Sequence, residues 1–210
     1  MIGAGDETRF MMLETIREYA LEKLTPERET VCNAHAAYYV DLAGRNDSET
    51  LQRLNDQSLM LAQLSAEHEN FYAAFEWLLN SGQGAEVLKA GAALWRFWLI
   101  TGRSRAGLRW MKRGLALAQN VSPQLKADGL RAAANLAMSQ MDAELNEVYL
   151  NEALMLYRDL DDVKSVAACL PMQATGYIYS FHPQLELAGR ITEKLFSCSA
   201  VTSFLRNSKC

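Results

Sequence analysis

LWRFWLITGRSRAGLRWMKRGLALA, residues Leu94–Ala118, aligns without gaps on AANLAMSQMDAELNEVYLNEALMLY, residues Ala133–Tyr157, at an offset of 39. Trp110 meets Tyr149, Met111 meets Leu150, Leu115 meets Leu154 and Leu117 meets Leu156. Each segment reads as a helix, a short polar break and a second helix. The second helices carry apolar stripes at helical spacing, Leu108, Met111, Leu115, Ala118 in one and Leu150, Ala153, Leu154, Tyr157 in the other. A weaker third copy follows over Gln173–Phe196. A helix pair that recurs about every 40 residues cannot cover its own apolar face, so the pattern predicts an all-α superhelix of stacked hairpins.

The spacing exceeds the roughly 34 residues of a standard tetratricopeptide repeat, so the hairpins are read as tetratricopeptide-like. Upstream the reading is less regular. Phe10 to Leu13 are consecutive apolar residues, which predicts a short covered strand. From Glu14 the period changes, and Ile16, Tyr19, Ala20 and Leu24 share one helical face. A second helix is expected from about Pro26 to Ala43, and GRNDSET (Gly44–Thr50) is read as a turn. One helical segment is then expected to carry Leu61, Leu64, His68, Phe71, Phe75 and Leu78 along one side, ending at NSGQG. The organisation read from sequence is 1–24, 25–84 (connecting hairpins), 85–196 (repeats) and 197–210 (a tail without cap or stripe).

Composition narrows the class of protein. Half the residues are apolar and 22% charged, the balance of a chain with a real core. The densest apolar run, AGAALWRFWLI, has eleven residues with an arginine inside, against about 20 for a bilayer span. No export signal is visible in MIGAGDETRF, and the four scattered cysteines form no CxxC, so a cytoplasmic chain with reduced thiols and no membrane contact is expected.

The sequence carries no recognisable motif for catalysis. Gly3-Ala-Gly5 has no lysine to make a P-loop, and no GxSxG is present. Cys32 and His35 have no second ligand pair for a metal, and His68 is expected as a core imidazole. Asp161-Asp162 and Glu67/Glu69 read as helix-end or solvated carboxylates. The expectation is a protein that is not an enzyme, with no cofactor and no metal.

Charge supplies the one candidate site. Residues 87–127 hold eight basic residues and no acid, which leaves 13 basic against 25 acidic residues elsewhere, a net of −12. Trp95, Arg96, Arg103, Arg105, Arg109, Trp110 and Arg113 are the candidate partner-binding residues, since Arg and Trp dominate interface hot spots. Basic side chains with aromatics could instead bind nucleic acid directly. An internal role is also open. Residues 128–162 carry eight acids, so successive repeats could face each other with opposite charge.

Four stretches together resemble a known family: LETIREYALEKL (Leu13–Leu24), HAAYYVDLA (His35–Ala43), LSAEHENFYAAFEWLLNSG (Leu64–Gly82) and LWRFWLITGRSRAGLRWMKRGLALA (Leu94–Ala118). They are similar to consecutive blocks of bacterial STAND-type signalling ATPases, which often carry a LuxR-type DNA-binding output domain. The resemblance spans about residues 9–165 in family order. It implies that Arg9–Leu24 are the last strand and helix of a winged-helix module, with residues 1–24 its remnant, and that the chain is a fragment whose nucleotide-binding core lies elsewhere. It further implies a sensor and scaffold role in signal transduction and transcriptional regulation, with a protein partner or effector ligand, and with DNA reached only through an absent output domain.

Overall fold

The computed structural model describes residues 13–23, 27–47, 57–179 and 190–193. Its helices are α1 (Glu14–Lys23), α2 (Arg28–Arg45), α3 (Ser58–Ala66), α4 (His68–Asn80), α5 (Gly84–Ile100), α6 (Ser104–Leu117), α7 (Pro123–Met138), α8 (Ala143–Asp159) and α9 (Val163–Tyr179). No strand occurs among the described residues. The strand expected over Phe10–Leu13 falls outside them except for Leu13, which leads directly into α1. Residues 197–210 also lie outside.

The repeat is visible in the helix starts. α5 and α7 begin at Gly84 and Pro123, α6 and α8 at Ser104 and Ala143, and both intervals are the 39 residues of the sequence alignment. α5 packs on α6, α7 on α8, and the first helix of one pair packs on the first of the next. α9 continues the stack against α8, and α2 closes its other end by packing on α4 and α5. The fold is an all-α helical-repeat superhelix.

Four turns inside this array share one chemistry. Gly82 and Gly102 have φ of +72°, and Met141 and Asp161 have φ of 61° and 54°. At each, the next amide reaches back five residues: Gln83 N to Leu78 O at 2.7 Å, Arg103 N to Trp98 O at 2.7 Å, Asp142 N to Ala137 O at 3.2 Å, Asp162 N to Tyr157 O at 2.9 Å. This is the Schellman closure, which needs a left-handed residue and satisfies carbonyls that a helix end would orphan. α7, α8 and α9 are also capped at their N-termini. The Ser122 and Asp142 side chains accept from the amides of Leu125 (3.3 Å) and Leu145 (3.1 Å), and Asp162 from that of Ser165 (3.0 Å).

Two cores run through the stack and share a wall. The first gathers Phe71, Phe75, Leu88, Leu94, Trp98 and Met111, the second Leu130, Leu150, Leu154 and Tyr157. Leu115 and Tyr149 pack against both, so the hydrophobic interior is continuous from one hairpin to the next. An aromatic series joins the front helices. Tyr39 meets Phe71 at 5.2 Å, Phe71 meets Phe75 at 6.3 Å, and Phe75 meets Trp98 at 6.0 Å and Trp110 at 5.8 Å.

Three local expectations are corrected. α2 runs to Arg45, so Gly44 is helical and the turn begins at Asn46. The segment from Leu61 to Leu78 is two helices, broken at Glu67. At that break Glu67 accepts hydrogen bonds from Tyr39 Oη (2.8 Å) and Asn70 Nδ2 (2.7 Å), which ties the bend to α2. His68 is therefore no core residue. It opens α4 half-buried, with Nδ1 2.7 Å from Ser65 O and Nε2 2.9 Å from the Glu69 carboxylate.

Candidate interaction face

The seven candidate residues divide between interior and surface. Trp95 and Trp110 are 7% and 4% exposed and belong to the core. A buried indole cannot stack a nucleobase, so the aromatic part of the nucleic-acid reading is lost at these positions. Their work is to carry guanidinium groups. Arg96 lies over Trp95 at 4.8 Å, Arg109 and Arg113 flank Trp110 at 5.4 and 5.2 Å, and Arg103 lies 6.0 Å from Phe97.

α6 and α4 build the face. Arg105, Arg109 and Lys112 are exposed on α6, while Leu108 and Met111 are buried beneath them. Among the described residues these three cations form no ion pair. Arg113 does: its two terminal nitrogens donate to the Glu76 carboxylate at 2.7 and 3.0 Å, a bidentate pair linking α6 to α4. That pair holds the Glu76 carboxyl below its ordinary pKa. Tyr72, one turn before Glu76, is half-buried against Trp110 at 5.7 Å. Burial pushes the Tyr72 phenol up, and the nearby Arg103 and Arg109 partly oppose this. Trp110 Nε1 is buried without a hydrogen-bond acceptor in the middle of this group.

Arg96 is directed elsewhere. It is half-buried on α5, where burial and the like charge of Arg131 on α7 both lower its pKa. Arg131 donates to Tyr157 Oη at 3.1 Å, and Tyr157 Oη donates to Asp128 at 2.7 Å. The candidate set is thus two clusters, Arg103–Arg113 with Tyr72 and Glu76 on one side, and Arg96 with Arg131 on another. Tyr72 and Glu76 were not singled out from sequence. Their signal is their i,i+4 spacing beside the Phe71/Phe75 stripe of α4.

The expected pairing of opposite charge between successive repeats is not the pattern observed. Of the eight cations in 87–127, Lys126 reaches an acid of the following segment, Glu152 at 2.7 Å. Arg113 turns to Glu76 in the preceding hairpin, and Arg96 feels the like charge of Arg131.

Sites for other chemistry are sparse. No group of three or more metal-ligating side chains occurs among the described residues. Their helices include none long and apolar enough to cross a membrane. A groove between α2 and α5, lined by Val40, Gly44, Arg45, Glu86 and Lys89 among others, contains no histidine, cysteine or serine.

Comparison with known proteins follows the same line. Residues 4–191 match a family model described as nuclear pore protein 84 / 107. The described helices make the chain plainly an all-α helical-repeat protein. The curated relatives bear a different name. Three proteins, one from Mycobacterium bovis and two from strains of Mycobacterium tuberculosis, are each provisionally named an HTH-type transcriptional regulator. Each is 31% identical over 175 residues, covering 77% of this chain and 20% of the relative. The chain therefore spans about a fifth of the length of the curated relatives it matches. No solved structure gives a significant match.

Proposed function

We propose that this chain is the helical-repeat sensor and scaffold region of a STAND-type, LuxR-related transcriptional regulator, working in the cytoplasm and without catalysis of its own. The observation that carries the reading is a conjunction. A segment similar to one fifth of HTH-type regulators folds as a repeat array, and that array displays arginines on a face its own packing leaves open. Nucleotide hydrolysis and DNA reading belong, on this proposal, to parts of the regulator outside the segment.

A repeat array suits the role physically. Small rotations per hairpin add into a change of curvature, and a partner that prefers one curvature shifts the population by its differential affinity. The test is titration of the chain with magnesium-ATP and with duplex DNA. No saturable binding of either is expected, and micromolar magnesium-dependent ATP binding would overturn the proposal.

Direct nucleic-acid binding through 87–127 is the second reading, favoured by the exposure of Arg105, Arg109 and Lys112, which form no ion pair among the described residues. It requires DNA affinity that falls steeply with salt, with a slope set by the number of phosphates contacted.

A further inference from the structure

We infer that the α6 face docks an acidic polypeptide segment, with Arg105, Arg109 and Lys112 taking its carboxylates beside the half-buried ring of Tyr72. This rests on the scaffold reading and names the kind of partner that face fits. The three cations stand at i, i+4 and i+7 of one helix, a row about 10 Å long at 1.5 Å per residue. An acidic helix or strand presents carboxylates on that scale.

The face already holds one carboxylate. Glu76 is received by Arg113 through two parallel hydrogen bonds of 2.7 and 3.0 Å at the margin of the same row. The ring of Trp110 supports Arg109 as it supports Arg113, at 5.4 and 5.2 Å. A guanidinium laid on a fixed ring loses less freedom when a ligand arrives, so less affinity is spent in ordering it. Trp110 Nε1 adds a buried donor with no acceptor in the same cluster, which a well-packed interior rarely leaves.

Charge separates a polypeptide from a nucleic acid. A long polyanion on this face would also meet the field of the rest of the chain, whose net charge is −12. A short acidic segment is governed by the cations within a Debye length, about 8 Å at physiological salt. Tyr72 is a partly open aromatic beside the row, whereas Trp95, Trp98 and Trp110 are buried.

The experiment is fluorescence anisotropy of a short labelled glutamate-rich peptide and of a labelled DNA duplex, each titrated with the full chain. Three proteins are compared: the unmodified chain, Arg105→Glu/Arg109→Glu/Lys112→Glu, and a control, Lys89→Glu/Arg158→Glu, reversed off the face. Saturable peptide binding is expected, weakened at least about tenfold by the first variant and unchanged by the control. Duplex binding is expected to be weaker than peptide binding. Loss of peptide binding in the control as well, no peptide binding at all, or tighter duplex binding overturns the inference. Should the triple variant lose its helical circular dichroism, Arg105→Gln/Lys112→Gln serves in its place with the same expectation at smaller size. Failure here with silent ATP and DNA titrations leaves the scaffold reading standing, whereas ATP binding sinks that reading whatever the peptide does.

Discussion

The indole of Trp98 occupies the space where Gly107 would carry a side chain. A Cβ built on Gly107 would stand 2.6 Å from Trp98 Cδ2, closer than real Cβ contacts come. The two residues fix how closely α5 and α6 approach. Thirty-nine residues later the equivalent positions are Ala137 and Asn146, small where the first is large and larger where the first is empty. Asn146, 1% exposed, uses the space to donate to Ala134 O on α7 at 2.9 Å. One backbone plan is thus packed by two different pairs of side chains.

Gly107→Ala is accordingly expected to destabilise. Alanine gains about 1 kcal/mol of helix propensity, but displacing a rigid buried indole costs about 1–3 kcal/mol. A net loss near 1 kcal/mol is expected in urea denaturation. Gly44→Ala is the control. It lies in the last turn of α2 with nothing within 4 Å of the added methyl, and should stabilise by about 0.5–1 kcal/mol. Equal effects at the two sites would refute the packing account.

The Arg113–Glu76 pair gives a pH signature of known sign. The hydrogen bond from Arg113 lowers the Glu76 pKa in the folded chain. Its contribution is therefore complete above the ordinary glutamate value, about 4.3, and is lost as pH falls through the lower folded value. Both side chains are 40–48% exposed, which keeps the contribution below about 1 kcal/mol and sensitive to salt. Glu76→Gln should be slightly less stable than the parent at neutral pH, with the difference closing in acid. A difference that grows on acidification would contradict this assignment.

How much of this was legible in the sequence depends on the range of the contact involved. The repeat was readable because Leu108, Met111 and Leu115 recur as Glu147, Leu150 and Leu154, and two of three matched apolar positions suffice to hold a 39-residue period. The break at Glu67 was not readable. Apolar spacing continues across it, and the bend is held by Tyr39, 28 residues away. The candidate face was half legible. A run of cations without acids marks the segment, but composition cannot tell that Arg113 will be claimed by Glu76, 37 residues earlier, or that the tryptophans between the arginines face inward. Local pattern shows what a helix can display; only tertiary packing decides what stays on display.

Tyr157 anchors the second core through its hydroxyl as well as its ring. The ring is fully buried, and Oη lies between Arg131 Nε at 3.1 Å and Asp128 Oδ1 at 2.7 Å. Burial, with help from Asp128 and against Arg131, holds its pKa above the ordinary tyrosine value, so it stays a neutral donor. Tyr157→Phe keeps the ring but leaves a half-buried guanidinium and a carboxylate each short of one partner. A loss of about 1–3 kcal/mol is expected, seen as a lower denaturation midpoint at unchanged slope. An unchanged midpoint would show that water replaces the hydroxyl at no cost.

Met141 closes the α7–α8 turn in a conformation that suits glycine. Its φ is 61°, its side chain is 66% exposed, and its amide bonds Met138 O at 2.9 Å. The equivalent residue one repeat earlier is Gly102, with φ of +72° and the same closure. A side chain in the left-handed region costs roughly 1 kcal/mol or more relative to glycine. An exposed methionine recovers little of that through packing. Met141→Gly should therefore raise stability by about 0.5–1 kcal/mol, even though glycine loses more backbone entropy on folding. The same exchange at Met155, exposed to 63% but inside α8, should lower stability by a comparable amount. Thermal melts of the two variants beside the parent give the sign directly. If both fall, the left-handed turn at Met141 carries no strain for glycine to relieve.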